Sequence, residues 1–235
     1  MAKTILITGA SSGIGASSAK LFLSRGWNVG LIARREDKLA IIANDHGNSL
    51  CVKCDVCQEN QVKNAFQLMV DHFGAVDVLF NNAGIFTPQA RIDQIDINDW
   101  QKSIDVNLTG MFLAAREAFR HMTKSGGRII NNGSISAHTP REGSAPYTTT
   151  KHAITGLTKT IALDGRDLNI CCGQIDIGNA HTEMVANLSN ANGVVETMAV
   201  SDAAEAVWNM AQLPLSTNIL TMTIMANKMP FVGRG

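Results

Sequence analysis

The stretch Thr8-Gly9-Ala10-Ser11-Ser12-Gly13-Ile14-Gly15 limits the fold of this chain more than any other. It follows an apolar run, Thr4-Ile5-Leu6-Ile7, that reads as a short buried strand over 3–8. It precedes an amphipathic stretch from Ala16 to Arg25. A glycine-rich turn between a strand and a helix lets backbone approach a pyrophosphate. The helix N-terminus beyond it offers unpaired N–H groups and a positive dipole end. The spacing G-x-x-x-G-x-G in this context predicts dinucleotide binding through Gly9, Ser11, Ser12, Gly13, Ile14 and Gly15.

The rest of the chain repeats the alternation. Strand-like runs at 27–33, 49–54, 76–80, 128–133, 168–175 and 218–225 are separated by helical patterns at 35–46, 58–73 and 99–124, by a helix begun at Tyr147, and by one with Ser201 as its N-cap. No linker-like shift in composition and no repeat interrupts the 235 residues, a length that suits one large domain. The expectation is a single α/β domain over 1–235, a Rossmann-type doubly wound parallel sheet with helices on both faces. Residues 176–200 read as a loop or lid, with a short substrate loop at about 178–200 whose charged residues are Glu183 and Glu196.

Several residues then fall at informative places. Arg34, nineteen residues past Gly15, and Arg35 stand where an NAD site commonly has an acidic residue for the ribose 2′-hydroxyl. A carboxylate repels a 2′-phosphate, whereas an Arg fork pairs with one, so the reading is NADP(H), with Ser12 adding a hydroxyl. The bland reading is two solvated arginines on a loop. Asp55-Val56 ends the third strand, and its carboxylate can accept from an adenine amino group. Asn81-Asn82-Ala83-Gly84 ends the fourth; its small residues let the chain run close under a flat ring, and Asn82 ties strands together. Asn107 lies among Ile104, Val106, Leu108 and Phe112. It either satisfies a neighbouring backbone group or holds a water. Ser134 closes the fifth strand, where open α/β sheets place ligand groups. Tyr147 and Lys151 are four apart, on one helix face, so the ammonium favours the phenolate and draws the Tyr pKa down from about 10. That makes Tyr147 a candidate proton donor and acceptor at a carbonyl or alcohol oxygen.

Composition excludes other classes. Lys+Arg and Asp+Glu are both 20, so there is no electrostatic footprint for nucleic acid or an anionic membrane. Apolar runs fall far short of the ~20 residues of a spanning helix. The chain enters Thr4–Ile7 directly, which leaves no room for a signal peptide. Five cysteines, an odd count, fit free thiols in the cytosol. Cys51, Cys54 and Cys57 form a C-x-x-C-x-x-C run, but no fourth cysteine follows at cluster spacing and Cys171-Cys172 is a poor second knuckle, so no metal is expected.

With these residues in place, the chain resembles the short-chain dehydrogenase/reductase family, closely from Lys3 to about Thr182 and more loosely to about Met225. The motifs that carry the resemblance are the glycine turn, Asn81-Asn82-Ala83-Gly84, Ser134, and Tyr147 with Lys151. The family's catalytic Ser lies thirteen residues before the Tyr and its catalytic Asn forty before, which Ser134 and Asn107 match. The resemblance implies hydride transfer between a nicotinamide and a small carbonyl or alcohol. Ser134 would bind the substrate oxygen and Tyr147 would exchange the proton. Lys151 would lower the Tyr147 pKa and bind the nicotinamide ribose, and Asn107 would hold a water leading to solvent. Gly178 and Thr182 would meet the nicotinamide end, and a homotetramer or homodimer would form through helices around 99–124 and 147–164. Two departures stand out. Thr149 adds bulk where the family often has Ala. Asp176-Ile177-Gly178 replaces Asn-Pro-Gly, and the lost Pro predicts a less fixed backbone. A catalytically idle NADP(H)-binding sensor or scaffold on the same fold is the alternative, opposed by the intact Asn107, Ser134, Tyr147 and Lys151. A lyase or epimerase is a third, opposed by the glycine spacing and the short C-terminal part.

Overall fold

The continuous apolar run of the first strand has a simple cause: both of its faces are covered. In the computed structural model, which describes residues 2–44, 46–182, 185 and 196–231, β1 is Thr4–Thr8 and every residue in it is buried. Ile5 and Ile7 point into one hydrophobic cluster and Leu6 into another. The same split recurs where Val29 and Leu31 face one way and Ile32 the other. Alternate side chains of a strand point to opposite faces, so a strand buried on both has no polar position to spare.

Among the described residues there are seven strands, all parallel: β1, β2 (Asn28–Ala33), β3 (Ser49–Lys53), β4 (Val78–Asn81), β5 (Gly127–Asn132), β6 (Ile170–Ile177) and β7 (Thr221–Ile224), in the order β3-β2-β1-β4-β5-β6-β7. The helices are α1 (Gly13–Ser24), α2 (Glu36–Ala43), α3 (Glu59–Phe73), α4 (Ile97–Ile104), α5 (Gly110–Met122), α6 (Ala145–Asp164) and α7 (Val200–Ala211). Residues of α1, α2 and α7 fill the cluster on one face; those of α3, α5 and α6 fill the other. The doubly wound Rossmann-type sheet expected from the sequence is therefore the fold. Its strand order reverses between β1 and β4, which opens a crevice at their carboxyl ends.

Four local expectations are corrected. The helix at 99–124 is not continuous: α4 and α5 are joined by a π-helical turn, Asp105–Thr109, whose wider loop turns Asn107 fully inward. The glycine after it, Gly110, packs against Val56, where a Cβ would come within 2.8 Å of a Val56 methyl. Helix α1 starts at Gly13, three residues before Ala16. The last helix is capped by Ala199 rather than Ser201, because Met198 is already fixed by bonds with Asn179 and His181 and the chain turns helical directly after it. Finally, β6 runs on to Ile177. With Ile in place of Pro the strand stays in the ladder, Ile177 pairs with Ile224, and the Gly178 N–H donates to the Ile224 carbonyl at 2.8 Å. The looser backbone expected here is replaced by a pinned one. The expected loop at 178–200, including Glu183, lies largely outside the described residues. Among the described residues no helix is long and apolar enough to cross a membrane.

The C-terminal strand is fastened by a buried cation. Arg128 in β5 is 1% exposed, and its guanidinium donates to the carbonyls of Pro214 (3.1 Å) and Thr217 (2.8 Å) and to the Asn218 amide oxygen (3.2 Å). Burial holds its pKa below the usual arginine value. The replacement Arg128→Met leaves these acceptors unpaired and is expected to cost about 3 kcal/mol. A urea midpoint unmoved by the substitution refutes this account.

Candidate active site

The glycine turn sits at the mouth of the crevice, and its geometry is set by close backbone approach. Gly9 has a φ of +67°, and a Cβ there would lie 2.9 Å from Ala83 Cα. A Cβ on Gly15 would run into the Gly9 carbonyl and the Asn82 amide. Asn82 holds the two strand ends together: its Nδ2 donates to Thr8 O at 3.0 Å, and its Oδ1 accepts from Asn132 Nδ2 at 2.9 Å. The Thr8 hydroxyl accepts from the N–H groups of Asn82 and Ala83 at 2.9 and 3.0 Å. The strand-tying role expected for Asn82 is visible in these bonds.

A cavity of about 530 Å³ runs from this turn across the ends of β1, β4, β5 and β6. Of the residues expected at the cofactor, its walls include Gly9, Ser11, Ser12, Gly13, Ile14, Arg34, Arg35, Asp55, Val56, Asn82, Ala83, Gly84, Tyr147, Lys151, Gly178 and Thr182, but not Gly15, which lies behind them under Gly9. Thr182 stands over Gly13, 3.1 Å from where a Cβ would be. The two arginines divide the work differently from the sequence reading, which put Arg34 first. Arg35 is the one bound to the glycine turn, its Nη2 donating to Ser11 Oγ at 2.9 Å and Ser12 Oγ at 2.8 Å. Arg34 borders the same cavity on the side of Cys57, whose thiol its charge pulls down. The Arg35 guanidinium with two hydroxyls, and Arg34 on the same cavity wall, fit a phosphate monoester, and the small-residue cradle beside them fits a pyrophosphate. Asp55 is held by the Cys57 N–H at 3.0 Å.

At the other end of the cavity α6 brings Tyr147 and Lys151 beside Ser134, which follows β5. Pro146 in the first turn of α6 suits the helix start. The Ser134 hydroxyl accepts from the Ser136 N–H at 3.1 Å, and it lines the cavity with Tyr147. Lys151 is 3% exposed, and its Nζ donates to the Asn132 carbonyl at 2.7 Å, 5.4 Å from the centre of the Tyr147 ring. Asn107 is fully buried; its amide takes both backbone groups of Ile85, accepting from N–H at 2.7 Å and donating to C=O at 2.9 Å. Of the two readings open for its side chain, backbone satisfaction is the one seen. Thr149 is exposed and does not line this cavity; it borders a separate pocket with Gly143, Ser144 and Thr148.

The electrostatics differ from the sequence expectation. Burial is the largest influence on Tyr147 and pushes its phenol up; the Ser134 hydroxyl and the Arg141 charge pull it down, and Asp176 pushes it up. The Lys151 ammonium, which donates to the Asn132 carbonyl, is not among these influences. Burial lowers the Lys151 amine from 10.5 to about 8, opposed by the Asp176 carboxylate. The thiols of Cys54 and Cys57 are pushed up, chiefly by burial, to about 12 and about 11.

Sequence reasoning missed a second layer. Asp176 is fully buried beneath Ser134: its Oδ1 accepts from the Ser134 N–H at 3.0 Å and from Gln174 Nε2 at 2.6 Å, and its Oδ2 lies 2.7 Å from His138 Nε2. A carboxylate near the end of a largely apolar strand was the available signal. Arg141, also on the cavity wall, is bonded to Asn179 Oδ1 at 2.9 Å. Its signal was being the only Lys or Arg between Ser134 and Tyr147.

Comparison with known proteins agrees with this geometry. The family model for the short chain dehydrogenase matches residues 3–193. Glucose 1-dehydrogenase 2 of Bacillus subtilis (strain 168) is 34% identical over 188 residues, covering 77% of this chain and 73% of that protein. The solved structure of 3-ketoacyl-(acyl-carrier-protein) reductase from Brucella melitensis complexed with NADH superposes with a TM-score of 0.87 at 25% identity, over 94% of this chain and 96% of that one. ElxO with NADP bound gives a TM-score of 0.87 at 28% identity, over 95% and 97%.

The lowered Lys151 amine has a consequence for stability. Between pH 8 and 10.5 the unfolded chain keeps a proton on Lys151 that the folded chain has lost, so stability rises with pH across that window. Measured against Lys151→Met, which cancels the other groups, the unsubstituted protein is expected to gain about 3 kcal/mol from pH 8 to above 10. A stability difference between the two that stays flat in denaturant titrations over this range refutes the burial of the ammonium.

Proposed function

The chain belongs to the short-chain dehydrogenase family, and on that premise we propose that it is an NADP(H)-dependent oxidoreductase acting on a small carbonyl or secondary alcohol compound. The family binds a nicotinamide cofactor, and solved relatives hold NADP or NADH. The observation that carries the reading is one cavity with a phosphate cradle and two arginines at one end and Ser134, Tyr147 and Lys151 at the other.

When bound, the nicotinamide supplies or takes the hydride. Ser134 hydrogen-bonds the substrate oxygen, its own oxygen aimed by the Ser136 N–H. Tyr147 gives its phenolic proton to that oxygen in reduction and takes it back in oxidation. The raised phenol is held neutral, which is the state a proton donor needs. Lys151 supplies positive charge beside the phenolate that follows, and binds ribose hydroxyls. Asn107 acts as a positioning residue: it fixes Ile85 and so the cavity wall next to Tyr147. Asn107 would also hold the water that leads from Lys151 to solvent. Gly178 and Thr182 border the nicotinamide end, Asp55 and Val56 the adenine end.

NADP(H) over NAD(H) rests on Arg34, Arg35, Ser11 and Ser12 standing where a carboxylate would serve NAD. We place the whole chain in one catalytic domain, in the cytosol on account of its free thiols, and assembled as a homodimer or homotetramer. Exposed Ile97, Phe112 and Leu163 on α4, α5 and α6 support the assembly. Light scattering that finds a monomer overturns it.

Two substitutions test the reading. Tyr147→Phe is expected to lower turnover of any accepted carbonyl by at least about 1,000-fold, the order a general acid contributes, with NADPH binding retained. Turnover near the original rate removes Tyr147 from its role. Arg34→Ala with Arg35→Ala is expected to erase the preference of NADPH over NADH. Equal affinities for the two cofactors in the unsubstituted protein refute the NADP assignment.

A further inference from the structure

We propose that Asp176 is a positioning residue for the reaction: from beneath Ser134 its charge keeps Tyr147 in the proton-donor form, which readies the site for reduction of a carbonyl rather than oxidation of an alcohol. This rests on the oxidoreductase reading above and adds a working direction and the residue that sets it.

Asp176 does not line the cavity; it lies behind the wall, fully buried one residue before the end of β6. Its Oδ1 accepts from the Ser134 N–H at 3.0 Å and from Gln174 Nε2 at 2.6 Å. The same Gln174 amide donates to Thr155 Oγ1 at 3.1 Å, on α6 one turn beyond Lys151. Oδ2 meets His138 Nε2 at 2.7 Å. The residue before Ser134 leaves room for the carboxylate, since a Cβ on Gly133 would run into Oδ1. Asp176 is thus tied at once to the serine that binds the substrate oxygen and to the helix that carries Tyr147 and Lys151.

None of these bonds needs a charge. An asparagine would accept the same two N–H groups at its Oδ1 and donate its amide to His138 in the other tautomer. A buried carboxylate costs more than a buried amide that makes the same bonds. What only the carboxylate supplies is its field. Burial raises Tyr147 most, and the Asp176 charge adds to it; Lys151, which burial lowers, is raised by the same charge. A phenol so held gives its proton to a carbonyl oxygen, whereas oxidation of an alcohol needs the phenolate. The other titratable or charged groups facing this pair are Lys151 on α6, with His138 and Arg141 on the connection between β5 and α6. An imidazolium at His138 weakens the field and a neutral ring leaves it whole. The 135–137 turn and β7 carry no titratable side chain, and Arg128 of β5 is fastened to 214–218 at the strand's other end.

The rival account is a carboxylate that only braces the backbone. Tyr147 is the one tyrosine of the chain, so its phenol can be read directly and without substrate. Protein grown with 3-fluorotyrosine gives one fluorine NMR signal, and the fluorine makes the phenol more acidic, which brings its titration to milder pH. At a fixed alkaline pH, Asp176→Asn is expected to raise the phenolate-to-phenol ratio by at least about threefold. His138→Gln keeps an N–H for Oδ2 and removes no negative charge, so it is expected to leave the ratio unchanged or lower it. A ratio unchanged or lowered in Asp176→Asn overturns the proposal. So does an equal rise in His138→Gln, which would mark disturbed packing. If Asp176→Asn does not fold, the unsubstituted protein decides: titration above free 3-fluorotyrosine supports a phenol kept for donation, and titration at or below it overturns the proposal. With a carbonyl that is turned over, the alkaline limb of kcat/KM for reduction is expected to move in Asp176→Asn to a proton concentration at least about threefold higher; a limb that stays in place overturns the proposal. If no carbonyl is turned over with NADPH, the oxidoreductase reading fails by itself, and the fluorine titration still judges Asp176.

Discussion

The Asn82 side chain joins what the fold keeps apart. Its amide nitrogen bonds the Thr8 carbonyl at the start of the glycine turn, and its amide oxygen accepts from Asn132 at the end of β5. The carbonyl of Asn132 in turn receives the Lys151 ammonium. One hydrogen-bonded line thus runs from the phosphate cradle, through two asparagines, to the lysine beside Tyr147. Each member is obliged to be there. A buried amide left without partners costs a kilocalorie or more, and the Gly15 position admits no side chain because Asn82 already fills that space. The strand ends cannot move apart without breaking this line, so the two ends of the cavity keep a fixed separation.

Burial sets the charge states around this frame. It holds Tyr147 neutral and strips much of the proton affinity from Lys151. The opposing influences come from groups in the adjoining layer. Asp176 restores part of the Lys151 affinity while raising Tyr147, and Arg141 works against it on the phenol. Asp176 is itself anchored by the Ser134 N–H, Gln174 and His138, so the carboxylate that tunes the phenol also fixes the backbone of the serine next to it.

The fold was legible because its requirements act on residue type. A backbone that must pass close to another allows only glycine, and a strand covered on both faces favours apolar residues, so Gly9, Gly15 and Ile5–Ile7 announce themselves. The α6 spacing likewise puts Tyr147 and Lys151 on one face. What stayed hidden depends on direction and partner. Neighbouring arginines look alike in a sequence, and only the turn of the chain after β2 sends Arg35 to Ser11 and Ser12 and Arg34 toward Cys57. The π-helical turn around Asn107 leaves no mark on apolar periodicity. The expectation at Ile177 failed because a missing proline was read as lost rigidity, when the restored N–H is what lets β6 pair further with β7. His138 and Asp176 meet across thirty-eight residues, a distance over which no local pattern operates.

The bond between Asn179 and Met229 has an evolutionary side. Met229 lies beyond β7, outside the cavity, yet it holds the residue on which Arg141 leans. Exchanging one flexible thioether for another apolar side chain is a mild change for the core. It nevertheless removes the sulfur that accepts the Asn179 N–H, and the Asn179 amide oxygen is what accepts from Arg141. Selection can therefore act on a loop of the cavity wall from a position that does not itself line the cavity.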